Sequence, residues 1–159
     1  MEQPSKMQLH KLMAVGNYQF GKRVGSTLFR RDVTIQCSRK TGRIRHIYIR
    51  GRLAATLKPK DGFLALTLYG AGLLLSKIEE VPNIVVVDPS VSDAIKEGGD
   101  VFAKHVIRAD PDLRPGEEVI VTDSGSKLLG VGSAVLAGAE MTSFKRGVAV
   151  NLRRGSSES

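Results

Sequence analysis

Six cationic side chains, Arg39, Lys40, Arg43, Arg45, Arg50 and Arg52, fall within a stretch of fourteen residues, and segment 22–60 around them carries twelve basic residues against the single Asp32. The chemistry such a run can do is anion recognition. A guanidinium presents a planar fork that bonds a phosphate through two parallel N–H groups, and an ammonium adds a point charge. A second constellation lies later in the chain, where Gly98 and Gly99 precede Phe102 and Lys104. Glycines let another backbone approach closely, a phenylalanine ring can stack on an unpaired base, and the lysine can meet a phosphate. The residues alone leave two readings open for this set, because glycines also end helices and Phe102 suits a core equally well.

Other chemistries find no support in the residue types. His10, His46 and His105 are scattered, and no pair has metal-ligand spacing. Cys37 stands alone, which excludes a disulfide within the chain, a zinc ribbon or any multi-thiolate site. It alternates with Val33 and Ile35, so core packing is expected rather than nucleophilic catalysis. Asp110, Asp112, Glu117 and Glu118 crowd a stretch rich in proline and glycine, which reads as a solvated loop. The Gly-Val-Gly at 130–132 lacks the rest of a dinucleotide fingerprint, and neither a G-x-S-x-G nor a phosphate-loop motif occurs. No catalytic residue, metal or cofactor is expected.

The charge is divided unevenly. The 159 residues carry a net +8 with a pI near 9.9. Residues 1–81 hold fifteen basic and five acidic side chains, a balance of +10, whereas residues 82–159 balance at −2. This asymmetry points to a docking surface for a polyanion on the first half. The length is too short for a (β/α)₈ barrel of about 250 residues. The N-terminal MEQPSKMQLHKLM has no apolar core of a signal peptide, and no apolar run nears the roughly 20 residues that span a bilayer. With one cysteine, a reducing, cytoplasmic location without membrane contact is expected.

These residues need elements to position them. Ser5 and Gln8 form a capping box for a helix over Lys6–Val15, with Gly16 as its stop. Residues 17–29 read as a loop feeding a short helix. An antiparallel meander follows: Val33–Cys37, Ile44–Arg50, Leu53–Lys58 and Phe63–Tyr69, with Leu64, Leu66 and Leu68 facing the core. The six cations flank two of its turns and are expected along one edge or face. A helix over Ala71–Ile78 ends the first half, and Val81-Pro82-Asn83 marks a boundary. Beyond it come a strand at Ile84–Val87, a helix capped by Asp88 with Pro89 at its first position, and Gly98-Gly99 as its end. Strands are expected over Val101–Arg108, Glu118–Thr122, Lys127–Leu136 and Gly147–Leu152. A type II turn is expected at Arg114–Glu117 and a helical turn over Ala139–Phe144. The terminal GSSES reads as a frayed tail.

Three landmarks of the second half, the GGDVFAK run at 98–104, the RPGEEV turn at 114–119 and the GVAV strand at 147–150, resemble the PUA domain over about residues 82–153. That domain is named for pseudouridine synthases and archaeosine transglycosylases. The resemblance implies a small β pseudo-barrel that binds structured RNA, with the Gly98–Lys104 edge facing it. YQFG at 18–21, SRKTGRIR at 38–45 and LAATLKPKDG at 53–62 resemble the segment preceding PUA in archaeal tRNA-guanine transglycosylases. The family's catalytic barrel and zinc-binding cysteines have no counterpart in these residues. The implied fold class is α+β: an N-terminal α/β domain with an antiparallel sheet over 1–81, a PUA-type β pseudo-barrel over 82–155, and a disordered tail at 156–159. The implied function is non-catalytic RNA binding, with tRNA as partner, no DNA, and a separately encoded catalytic subunit of a tRNA-modifying system as a second partner. A ribosome-associated PUA protein and an RNA-modifying enzyme with an unrecognised site are the alternatives.

Overall fold

The computed structural model describes residues 1–158, which divide into two compact units at the Val81–Pro82 step. Unit 1 runs through α1 (Lys6–Phe20), α2 (Val24–Leu28), β1 (Val33–Cys37), β2 (Ile44–Ile49), β3 (Arg52–Leu57), β4 (Leu64–Leu66) and α3 (Leu68–Lys77). Its strands form an antiparallel meander in the order β1-β2-β3-β4. Leu12, Phe20, Leu28, Phe29, Ile35, Ile47, Leu66 and Leu74 fill its interior.

The capping box forms as the spacing predicts: the Gln8 N–H donates to Ser5 Oγ at 3.1 Å and the Ser5 N–H to Gln8 Oε1 at 2.8 Å. The helix does not stop at Gly16. It continues to Phe20, because Gly16 serves close packing rather than termination. A Cβ on Gly16 would lie 2.6 Å from the Gly25 Cα, and one on Gly25 would lie 2.1 Å from the Met13 carbonyl oxygen. Asn17 then locks α1 to α2, accepting from the Ser26 N–H and donating to Ser26 Oγ, both at 3.2 Å.

The expected strand Phe63–Tyr69 is also corrected. Only Leu64–Leu66 pair with β3, and α3 starts at Leu68. Thr67 makes the switch: its hydroxyl oxygen accepts from the Gly70 N–H at 3.1 Å and donates to the Leu53 carbonyl at 2.7 Å. This caps a helix N-terminus and ties it to β3 with one side chain. Leu68 thereby leaves the strand alternation and is half-buried.

Unit 2 contains β5 (Ile84–Val87), α4 (Ser92–Lys96), β6 (Val101–Phe102), β7 (Val106–Ala109), β8 (Glu118–Thr122), β9 (Leu128–Ala134), α5 (Gly138–Met141) and β10 (Val148–Gly155). The sheet order is β6-β10-β9-β8-β5-β7, with β5 and β8 parallel and every other pair antiparallel. The sequence reading of Val101–Arg108 as one strand is corrected here. A 3-10 turn at Ala103–His105 interrupts it, so Phe102 pairs with β10 while Val106 pairs with β5. The two outer strands of the sheet are therefore consecutive in sequence, and three residues join them. This nearly closes the sheet into a barrel and gives the α+β architecture expected from the sequence.

Asp88 caps as expected, accepting from the Ser90 N–H at 2.9 Å with Pro89 at the first helical position. That hydrogen bond holds the Asp88 carboxyl below its ordinary pKa. Asn83 is buried, donating from Nδ2 to the Glu118 carbonyl at 2.9 Å, while its own N–H donates to Asp110 Oδ2 at 2.8 Å. The tail reading does not hold for residues 156–158. The Ser156 N–H donates to the Leu129 carbonyl and the Ser157 N–H to the Lys96 carbonyl, each at 2.9 Å. Glu158 Oε1 accepts from the Gly155 N–H at 2.7 Å. Ser159 lies outside the described residues. Among the described residues no helix is long and apolar enough to cross a membrane.

Candidate nucleic-acid interface

The six meander cations do not share one edge. In an antiparallel meander alternate turns point to opposite ends, so the β1–β2 turn and the β2–β3 turn lie on opposite sides of the sheet. Arg39, Lys40 and Arg43 belong to the first and Arg50 and Arg52 to the second, separated by the length of β2, about 20 Å at ~3.3 Å per residue. Arg45 lies within β2 at an irregularity in register, where Gln36 pairs with His46 but Cys37 pairs with Ile44, and it is half-buried.

At the first end, two loops share one geometry. In Ser38–Arg43 the Ser38 N–H donates to the Arg43 carbonyl at 2.8 Å and the Gly42 N–H to the Ser38 carbonyl at 2.9 Å. In Lys58–Phe63 the equivalent bonds, Lys58 to Phe63 and Gly62 to Lys58, measure 2.9 and 2.8 Å. Gly42 and Gly62 take φ of +72° and +75°, a backbone that these closing positions require. Lys40 and Lys60 therefore occupy equivalent, exposed loop positions. The β3–β4 turn lies at the same end as the β1–β2 turn, so Arg39, Lys40, Arg43, Lys58 and Lys60 gather there with one loop carboxylate, Asp61, which pairs with Lys58 at 3.6 Å. Sequence reasoning omitted Lys58 and Lys60. The signal was present in the parallel of SRKTGR with KPKDGF, twenty residues apart.

At the second end lies an open cleft of about 250 Å³, lined by Thr27, Arg30, Arg31, Asp32, Ile49, Arg50 and Lys77. Four cations from three separate segments meet one carboxylate. Arg50 and Gly51 both have positive φ, +53° and +79°, the geometry of a two-residue hairpin turn. Arg50 Nε sits 3.8 Å from Asp32 Oδ2, and both side chains are well exposed, so the pair is weak. Arg52 lies instead over the Tyr69 ring, 4.1 Å from its centroid. Arg30, Arg31 and Lys77 were not singled out from sequence, since only the fold brings residues 30, 50 and 77 together.

In unit 2, Phe102 is 46% exposed, which settles the core alternative against it. Lys104 is exposed in the 3-10 turn. The Ala103 N–H donates to the Gly147 carbonyl at 2.9 Å, so the exposed Phe144, Lys145 and Arg146 precede the residue that meets this edge. Gly98 is half-buried, whereas Gly99 is exposed. Their N–H groups donate to the Ile95 and Ala94 carbonyls, both at 2.9 Å, and a Cβ on Gly98 would lie 2.6 Å from Glu158 Oε1. They end α4, and Gly98 is packed by the Glu158 carboxylate.

Cys37 is half-buried rather than in the core. Burial, followed by the hydrogen bond and charge of Glu2, raises its thiol pKa, which leaves it protonated and poorly nucleophilic. His10 is exposed, and His46 and His105 are half-buried in or beside strands. Among the described residues no group of three metal-binding side chains converges.

Comparison with known protein families gives one match in each unit. The patch-forming domain C2 of tRNA-guanine transglycosylase matches residues 10–80, and the PUA domain matches residues 83–156. The tRNA-guanine(15) transglycosylase of Methanobrevibacter smithii is 38% identical over 151 residues, covering 95% of this chain and 23% of that protein. That of Thermococcus kodakarensis is 38% identical over 156 residues, covering 98% of this chain and 27% of that protein. The chain thus spans about a quarter of the length of the curated relatives it matches. Two solved structures share the fold over nearly the whole chain. A hypothetical protein from Pyrococcus horikoshii OT3 has a TM-score of 0.79 at 20% identity, covering 98% of this chain and 93% of its own. A conserved PUA domain protein from Thermoplasma acidophilum has a TM-score of 0.73 at 22% identity, covering 99% and 94%. Residues 10–80 thus match a transglycosylase-type C2 domain and residues 83–156 a PUA domain, and the chain is a PUA-domain protein that resembles the C-terminal module of archaeal tRNA-guanine transglycosylases.

Proposed function

We propose that the chain binds tRNA without catalysing its modification, and serves as the RNA-gripping subunit or accessory of a tRNA-modifying system whose catalytic part is encoded separately. The observation that carries this reading is the gathering of cations at both ends of the unit 1 meander, in a chain similar along nearly its whole length to tRNA-guanine(15) transglycosylases. Nine cations, five in the twin loops and four around the cleft, face two carboxylates, Asp61 and Asp32. Like charges held together at a surface repel one another, and a polyphosphate backbone relieves that repulsion and releases its own counterions on binding. Phe102 and Lys104 offer a separate contact in unit 2, where shape and stacking outweigh charge.

The experiment is a salt titration of tRNA affinity. With about four to six phosphate contacts, log affinity falls against log salt with a slope of roughly −3 to −5. Replacing Arg39, Lys40 and Arg43 together by Glu, all exposed loop residues, reduces that slope by about 2 to 3 and weakens every tRNA tested alike, because phosphate contacts carry little sequence information. Arg30→Glu with Lys77→Glu at the cleft reduces it by about 1 to 2. Unchanged affinity and slope in both variants, at an unchanged melting temperature, would reject unit 1 as the electrostatic interface.

A further inference from the structure

We infer that the Tyr18–Phe63 ring pair at the twin-loop end of unit 1 is a stacking platform for one unpaired nucleobase of the bound RNA. The inference rests on the RNA-binding reading above and adds a contact of different chemistry. The two rings stack with centroids 5.8 Å apart and planes 12° from parallel. Tyr18 is 80% exposed and Phe63 38%, whereas Phe20 and Phe29 of the same unit are fully buried. At that centroid distance the two near-parallel rings are offset, and the tyrosine ring stays largely open to solvent. A flat, π-rich surface of that form accepts any base, since every base has a π-face.

The pair is held in place before anything binds. Gln19, next to Tyr18, clasps Leu64, next to Phe63, with a matched pair of hydrogen bonds: Gln19 Nε2 donates to the Leu64 carbonyl at 2.7 Å, and the Leu64 N–H donates to Gln19 Oε1 at 2.9 Å. The Phe63 N–H is fixed in turn by Asp61 Oδ1 at 2.9 Å. Two separate elements, α1 and the β3–β4 loop, are thus locked at the residues flanking the rings. The backbone positions that carry the rings are therefore fixed before anything binds.

The surroundings choose the occupant. Phe63 closes the loop that carries Lys58 and Lys60, and the equivalent loop at that end carries Arg39, Lys40 and Arg43. The carboxylate of the loop, Asp61, is already paired with Lys58. A cationic rim around an apolar ring suits a ligand that is flat in one part and anionic in the next, which describes a single-stranded nucleotide. It disfavours a second copy of a unit that itself carries +10.

The chain has no tryptophan, so Tyr18→Trp introduces a sole indole reporter at the platform. The probes are a short single-stranded oligoribonucleotide, a blunt RNA duplex with the same number of phosphates, and inorganic polyphosphate. Tyr18→Ala keeps a good helix former at an exposed helical position. It is expected to weaken the single strand about 5- to 150-fold, the range for losing one stacked base, and to leave duplex affinity and the salt slope unchanged. Tyr18→Trp emission is expected to be quenched by the single strand and not by polyphosphate. The inference is overturned if Tyr18→Ala, melting like the parent, binds single strand and duplex as the parent does, or if the indole is unaffected while RNA is bound. Emission that changes on concentrating the protein alone would assign the pair to self-association and overturn it too. A parent chain that binds neither RNA fails both this inference and the function it rests on, whereas binding with a silent indole fails this one alone.

Discussion

Gly25→Ala is expected to cost unit 1 about 3 kcal/mol or more, enough to shift its melting by many degrees. The added Cβ would stand 2.1 Å from the Met13 carbonyl oxygen, 2.8 Å from the Asn17 nitrogen and 2.9 Å from the Gly16 Cα. All three are backbone atoms of α1, so no side chain can rotate away. Relief requires α1 and α2 to separate, which breaks the Asn17–Ser26 bonds and loosens the burial of Phe20 and Leu28. Gly72→Ala is the matched control. It lies in α3 with no atom within 4 Å of its added Cβ, and it is expected to stabilise by about 0.5–1 kcal/mol through helix propensity alone. Thermal or urea unfolding of both variants reads the difference. A Gly25→Ala protein that melts with the parent would contradict the close approach of the two helices.

Arg153→Ala is expected to destabilise unit 2 by about 3 kcal/mol. Glu118 is 1% exposed, and its carboxylate receives both guanidinium nitrogens of Arg153, Nη1 to Oε1 at 3.1 Å and Nη2 to Oε2. Removing the arginine takes both guanidinium hydrogen bonds from a buried carboxylate. The cost sits at the lower end of the range of about 3–5 kcal/mol for such pairs, because Arg153 is itself 40% exposed and water can follow it out. Replacing both residues by apolar side chains of similar volume, Glu118→Leu with Arg153→Met, is expected to recover most of the loss. Equal destabilisation in the single and the double variant would mean that the site needs the ion pair itself. Near-parental melting of Arg153→Ala would mean that the carboxylate is satisfied without it.

The sequence showed most plainly those features whose causes are local. Ser5 and Gln8 announce the start of α1, Asp88-Pro89 the helical turn of unit 2, and the alternation of Val33 and Ile35 the first strand; each depends on residues a few positions apart. Misreadings came where a distant segment decides. Gly16 resembles a helix stop until Gly25 is found against it. Phe63–Tyr69 reads as one strand until the Thr67 hydroxyl reaches Leu53 and Gly70. Val101–Arg108 alternates well enough for a strand, yet its halves pair with different neighbours. The cationic site shows the same division. Its residue types and its restriction to unit 1 were visible in the charge count. Its split into two ends follows from meander topology, and the meeting of Arg30, Arg50 and Lys77 exists only in three dimensions.

The strand order of unit 2 also dictates when the chain can fold as it leaves the ribosome. Unit 1 pairs each strand with its neighbour in sequence, so its sheet is complete once residue 66 has emerged. Unit 2 has no such option. Its last strand, β10, lies between β6 and β9, and the bonds of Ser156 and Ser157 to Leu129 and Lys96 come later still. Until residues 148–155 are free, β6 lacks its strand partner and β9, with its apolar Leu128–Ala134 face, is an open edge. During that interval a folded basic domain is tethered to a half-built barrel with sticky strands, the kind of nascent species that chaperones shield. Closure of unit 2 therefore waits on residues 148–157, whereas the sheet of unit 1 waits on nothing beyond residue 66.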